Sequence, residues 1–279
     1  MTPSDRNFVV IVVLSVIPIA IYWDSMITMA RLWSSTEAYR HGYLIPFVSM
    51  LLLWRDRSKY RSTKFTGSWV GAGVLASLVA VWIAAEATSV QLIEQLSVVL
   101  MVSALALTVL GWRAYQPVWF PLAFLVFAVP IGDTAIPYLM DSTASFAVMA
   151  LQMLGVPALR EGMRVALPGG TFEVVEACSG FNYLTAGVAL GVLVAHLKFK
   201  SLWKQLCYVV AVVGVFVFIN GLRAFVIMWV GSLSNMQLLV GREHVFFGWV
   251  LFLLAMALMY WVAEKYSDLP DPGAARAPR

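Results

Sequence analysis

The sequence predicts an all-α integral membrane protein of about eight transmembrane helices, with an interfacial helix and a short β-hairpin on the extracytoplasmic side. Three observations predict it. Of the 279 residues, 61% are hydrophobic and only 12% charged, and the mean hydropathy is +0.82, whereas a soluble domain carries about a quarter charged residues. The apolar residues fall into runs of about 20, the length that crosses a bilayer as a helix. The Lys and Arg residues crowd the short loops between these runs, as membrane orientation signals do. That distribution sets nucleic acid aside as a partner, despite the net charge of +4.

In chain order, the clearest spans lie at 8–28, 69–86, 92–111, 179–197, 205–230 and 244–263. The first reads as a retained span, because Tyr22-Trp23-Asp24 is a poor signal-peptide cleavage site. Two shorter stretches, 38–54 with Pro46 and 116–132 with Pro121 and Pro130, complete the eight; neighbouring helices can re-satisfy the backbone groups that proline frees. Arg55, Arg57, Lys59, Arg61 and Lys64 crowd one loop, and Lys198, Lys200 and Lys204 another. Alternation from these puts Arg6, Arg113, Lys265, Arg276 and Arg279 on the cytoplasmic side as well. Of the 19 basic residues, 13 then lie inside and five outside (Arg31, Arg40, Arg160, Arg164 and Arg242), with Arg223 inside a span. Both termini are expected in the cytoplasm of a bacterial cell, and the protein in its inner membrane.

The segment 137–155 is apolar enough to resemble a ninth span. Crossing the membrane there would flip the Lys198–Lys204 loop outward, and Asp141, Ser142 and Ser145 give it a polar side. It reads as a helix lying on the outer surface. Pro168-Gly169-Gly170 between two short runs of partly alternating polarity reads as a β-hairpin over 164–175. The sequence is expected to form one polytopic membrane domain, 1–266, without a fused accessory domain, and a Pro/Ala/Gly-rich cytoplasmic tail, 267–279, expected to be disordered.

Three residues stand out because lipid makes them expensive or because their chemistry is unusual: Cys178, Arg223 and His244. The topology puts all three near the outer face. Cys178 and His244 sit at the outer entries of their spans. Arg223 lies about seven residues inside the outer end of its own span, about 10 Å deep at the rise of an α-helix. A thiolate is the nucleophilic form of cysteine, and a nearby cation favours it. His244 can take the thiol proton and return it to a leaving amine. Arg223 cannot act as a base, but it can stabilise a thiolate or an oxyanion. An arginine within a span costs about 2.5–3.5 kcal/mol on insertion scales, so it calls for a function more than a lone cysteine or an interfacial histidine does. Asn220 shares a helix face with Arg223 and can donate to the same oxyanion or orient the guanidinium. Glu176 and Ser179 flank Cys178, and His41 is a second outer-face histidine. Cys207 lies at the opposite membrane depth from Cys178, which excludes a disulfide scaffold. One cysteine and one or two histidines do not fill a metal ligand set, and no cofactor is expected.

Glu176-Ala177-Cys178-Ser179-Gly180-Phe181, Asn220-Gly221-Leu222-Arg223-Ala224 and Glu243-His244-Val245-Phe246-Phe247-Gly248-Trp249 resemble, in order and spacing, the three signature blocks of the exosortase/archaeosortase family. His41-Gly42-Tyr43-Leu44-Ile45-Pro46 resembles its early block. The likeness runs from about residue 38 to the end of the last span. The histidine of the third block is similar to the bacterial exosortase branch; the archaeal branch usually has an arginine there. Where this chain has Phe181-Asn182-Tyr183, relatives often carry Leu-Arg-Tyr.

The resemblance implies a triad of Cys178 as nucleophile, Arg223 as stabiliser and His244 as acid and base. It implies a cysteine peptidase or transpeptidase acting on membrane-anchored proteins. Their C-termini would carry a short motif, typically Pro-Glu-Pro, then an apolar helix and a basic cluster. A thioester on Cys178 would pass the protein to an amine acceptor, and the family is linked to exopolysaccharide production. Two other functions compete: an intramembrane serine protease using Ser179 and His244, and a non-enzymatic transporter or assembly component for polysaccharide export. The first gives Arg223 no role. The second would more often carry midplane polar groups and internal repeats, and no repeat is visible here.

Overall fold

A computed structural model describes residues 3–60, 63–234, 237–238 and 243–269; Arg61, Arg242 and the tail from 270 lie outside the described residues. Helices dominate because lipid offers no partner for backbone N–H and C=O groups, which a helix pairs within itself. The chain divides into two compact units, residues 1–131 and 132–279.

The first unit contains α1 (Pro3–Ile21), α2 (Trp23–Ser35), a 3-10 stretch (Glu37–Tyr43), α3 (Leu44–Arg55), α4 (Trp69–Ala87) and α5 (Gln91–Leu110). Two short helices, α6 (Trp112–Tyr115) and α7 (Trp119–Phe124), follow. α4 and α5 form a tight hairpin. A Cβ at Gly71 would lie 2.6 Å from the Thr108 backbone nitrogen, so the small residue is what lets the two backbones approach. Ser68 caps α4, its Oγ accepting from the Gly71 N–H at 3.1 Å. Val102, Ala106 and Leu110 of α5 pack with Ile11 and Leu14 of α1 and with Tyr60. The buried Tyr60 hydroxyl donates to the Leu53 carbonyl at 2.7 Å, and the Asn7 Nδ2 donates to the Tyr60 carbonyl at 2.9 Å.

Among the described residues five helices are long and apolar enough to cross a membrane, or up to seven when two interrupted pairs each count as one span, against the eight expected from sequence. The differences lie in the N-terminal half. The expected span 8–28 is broken at Tyr22, where α1 and α2 meet at 91°. Asp24 in the first turn of α2 suits a new helix N-terminus. The stretch 38–54 holds a 3-10 segment and then α3, which at 12 residues reaches only about 18 Å, short of a hydrocarbon core of about 30 Å. The stretch 116–132 divides into α7 and a 3-10 turn, Leu125–Ala128.

The second unit contains α8 (Ile136–Met153), β1 (Leu159–Glu161), β2 (Arg164–Leu167), β3 (Gly170–Glu173), a 3-10 turn (Glu176–Cys178), α9 (Phe181–Lys198), α10 (Leu202–Leu233) and α11 (Glu243–Lys265). The expected hairpin is β2–β3, registered from Arg164 opposite Glu173 to Leu167 opposite Gly170. β1 adds a third antiparallel strand that the sequence pattern did not reveal. Arg160 on β1 fastens the sheet to α8, donating to Asp141 Oδ1 and Ser145 Oγ, each at 2.6 Å. The 137–155 segment is the helix α8, and its Ala144, Ala147, Val148 and Leu151 pack on the sheet and on Ala224 and Met228 of α10. With 32 residues, α10 is about 48 Å long, more than a bilayer core requires. Its last turns lie on the sheet, where a Cβ at Gly231 would meet the Phe172 ring at 2.5 Å.

The other ends of α9, α10 and α11 are held by charge. Lys198 pairs with Glu264 at 2.5 Å, and Lys204 pairs with Asp268. The Lys200 N–H donates to Asp268 Oδ2 at 3.0 Å, and the Asp268 N–H donates to the Lys198 carbonyl at 2.9 Å. The Lys204 ammonium and the Lys200 N–H hold the Asp268 carboxyl below the usual carboxylate range. Residues 267–269, expected to begin a disordered tail, are therefore fastened to the α9–α10 connection, because Asp268 finds two basic-loop donors there.

Candidate active site

Cys178 closes the 3-10 turn that leads the chain from the sheet into α9. Its N–H donates to the Val175 carbonyl at 2.8 Å, and the Ser179 N–H donates to the Glu176 carbonyl at 2.9 Å. Gly180 then reverses the chain with φ +74°, a left-handed conformation that a side chain makes costly. The Ser179 hydroxyl is buried, 3% exposed, and accepts from the Phe181 N–H at 3.2 Å, as residues at helix starts do. Cys178 itself is half-buried and packs against the α8, sheet and α10 cluster. Glu176 is exposed.

Asn220, 7% exposed on α10, holds this turn. Its Nδ2 donates to the Cys178 carbonyl and to Thr143 Oγ1 on α8, both at 2.9 Å. A carbonyl only accepts, so the amide can present only its nitrogen on that side. The Oδ1 is then buried without a partner and faces Gly180, where a Cβ would lie 2.5 Å away. Sequence reasoning gave Asn220 the task of donating to an oxyanion or orienting Arg223. In this structure both of its amide hydrogens are directed at Cys178 and Thr143.

Arg223 lies one turn further along α10 and is 6% exposed. Its guanidinium carbon stands 5.5 Å from the centre of the Tyr183 ring on α9, a cation–π distance. Its Nε is buried and unbonded. Among the described residues no carboxylate pairs with it. A buried ion without a counter-charge costs several kcal/mol, a cost the Tyr183 ring offsets only in part. α11 closes over the pair through Gly248, where a Cβ would meet Tyr183 Oη at 2.5 Å and Arg223 Nε at 3.1 Å. His244 is one turn before Gly248 and on the same helix stripe; it is half-buried.

Asn220 thus joins the Cys178 turn to α10, the helix that also carries Arg223, while His244 lies on α11 one turn before the Gly248 that packs on Arg223. His41 belongs to the first unit. Its Nδ1 lies 3.1 Å from the Ala38 carbonyl, and the ring also bonds the Phe127 carbonyl, so it ties the 3-10 stretch to the turn after α7. Cys207 is exposed near the start of α10, at the end away from Cys178. Among the described residues no three His, Cys, Asp or Glu side chains are grouped as a metal site. Sequence reasoning missed Thr143, Tyr183 and Gly248. Two of these left a trace: Gly248 as a glycine four residues after His244 in a helix of large apolar residues, and Tyr183 as the tyrosine that relatives also carry after the cysteine block; Thr143 left none.

The family model described as transmembrane exosortase matches residues 33–261. No curated protein and no solved structure matches the chain.

Proposed function

Because the chain belongs to the transmembrane exosortase family, we propose that it is a membrane-embedded cysteine peptidase or transpeptidase that processes C-terminal sorting signals of exported proteins. Cys178 as thiolate attacks the scissile carbonyl. His244 takes the thiol proton and delivers it to the departing amine, so the C–N bond breaks as the C–S bond of a thioester forms. Arg223 offers charge to the tetrahedral oxyanion from a site with little water, where such an interaction is strongest. An amine acceptor, or water, then releases the acyl group and restores the thiol. The observation that carries this reading is a buried arginine with no carboxylate partner among the described residues, one helical turn from the residue that grips the Cys178 carbonyl.

The site is proposed to face the extracytoplasmic side of a bacterial inner membrane, with both chain termini in the cytoplasm. In its support, the Lys198, Lys200 and Lys204 cluster stands at the opposite end of α9 from Cys178. The 18 residues of α9 separate the two by about 27 Å, and basic loops favour the cytoplasm. The substrates are proposed to be membrane-anchored proteins with a short motif of the Pro-Glu-Pro type, an apolar helix and a basic end.

The test is processing of an exported protein bearing such a C-terminus, in strains carrying Cys178→Ala or Ser179→Ala. The expected outcome is accumulation of the intact protein in the first strain and continued processing in the second. Loss only in the serine variant would establish the serine-protease alternative instead; the buried Ser179 hydroxyl, engaged with the Phe181 N–H, disfavours it. Normal processing in Cys178→Ala would favour a non-enzymatic transporter or export component.

A further inference from the structure

From the hydrogen bonds around Asn220 we infer that Asn220 and Thr143 are positioning residues for the nucleophile; the inference rests on Cys178 being that nucleophile. Cys178 ends a three-residue turn that has two backbone hydrogen bonds of its own, and the next residue but one is in the left-handed region. So short a turn has little to fix its height over the helices beneath. The Asn220 amide supplies that constraint. One hydrogen holds the Cys178 carbonyl, the other holds Thr143 Oγ1, and both lengths are 2.9 Å. The relay ties the thiol-bearing turn to α8 and α10 at once.

Two features separate this from ordinary packing. The Asn220 amide leaves its own Oδ1 buried and unbonded, a state that most buried polar groups avoid. A hydrophobic residue in its place would avoid that cost, so the amide is retained for what its nitrogen holds. Gly180, which a Cβ would drive to within 2.4 Å of Asn220 Cγ, gives the amide room at the expense of a left-handed backbone. Thr143 lies in none of the sequence blocks around Cys178, Arg223 or His244, and its part in the site follows from the structure alone. Because the donors of Asn220 are committed to Cys178 and Thr143, the oxyanion must find its partner elsewhere, the role the proposed function gives Arg223.

The test uses full-length protein in a Cys207→Ser background, so that of the two cysteines only Cys178 reacts. Alkylation of Cys178 by iodoacetamide is followed as a function of pH for the parent, Thr143→Val, Thr143→Ser and Asn220→Asp, and the same variants are assayed for substrate processing. Thr143→Val removes the acceptor but keeps the shape. It is expected to displace the pH profile and to slow processing roughly 10- to 100-fold, the scale of an ångström-sized misplacement, while Thr143→Ser restores both. Asn220→Asp is expected to behave as Thr143→Val or worse. A pH profile and processing rate in Thr143→Val equal to the parent's would overturn the inference. If Cys178→Ala abolishes processing in the same assay, the proposed function survives that result; if Cys178→Ala processes normally, both fall.

Discussion

Replacing Gly180 with alanine perturbs the backbone conformation and the Asn220 contact together, and the two can be separated. Gly180 sits at φ +74°, ψ 8°, where an L-residue pays about 1–2 kcal/mol. The new Cβ would also stand 2.4 Å from Asn220 Cγ and 2.8 Å from its Cβ, too close for either to stay. Asn220 must swing away, giving up its bonds to Cys178 and Thr143. At about 1 kcal/mol net for each hydrogen bond, the total loss is about 3–4 kcal/mol. The assay is unfolding in detergent micelles of the parent, Gly180→Ala, Asn220→Gly and the double variant. Asn220→Gly takes away every side-chain atom the new Cβ strikes, its Cβ included. In that background Gly180→Ala should cost only the backbone part, leaving a coupling of about 2 kcal/mol, within the range for residues in contact. Costs that add to within about 0.5 kcal/mol would refute the claim that Gly180 is kept small for Asn220.

Arg223→Met should separate stability from activity. A buried guanidinium with no carboxylate partner, as Arg223 is among the described residues, costs several kcal/mol, offset by about 0.5–2 kcal/mol from the Tyr183 ring. The variant is therefore expected to unfold at the same or a higher temperature and to lose processing; a marked fall in melting temperature would mean that the cation serves the fold. Asp268→Asn tests the charged clasp at the other end of the unit. A carboxyl held below its unfolded pKa stabilises the fold above that value, and the contribution disappears as pH falls through the folded value. Protection of the Lys200 amide from hydrogen exchange should exceed that of Asp268→Asn at neutral pH, and the difference should begin to shrink below about pH 4, the ordinary carboxyl value, and vanish once pH falls below the lower folded value. Equal protection at neutral pH would sink the clasp.

Some features were legible because a local rule forces them. Apolar runs such as 69–86 and 92–111 became α4 and α5, since a backbone in lipid must pair with itself. Pro168-Gly169-Gly170 gave a turn wherever it lay in the fold. Cys178, Arg223 and His244 drew notice for their chemistry in an apolar chain. The break at Tyr22 and the brevity of α3 were not legible, because hydropathy averaged over a window does not register where a helix ladder stops.

From its residues alone, this chain determined that it is a membrane protein of the exosortase family and which three side chains to suspect. Tertiary structure decided what surrounds them: Tyr183 under the Arg223 guanidinium, Gly248 over both, and Thr143 and Asn220 holding the cysteine turn. Asn220 reaches Cys178 across 42 residues and Thr143 across 77. Periodicity reports only neighbours a turn or a strand pair away, whereas a hydrogen bond between distant helices depends on how those helices pack, and no local pattern records that.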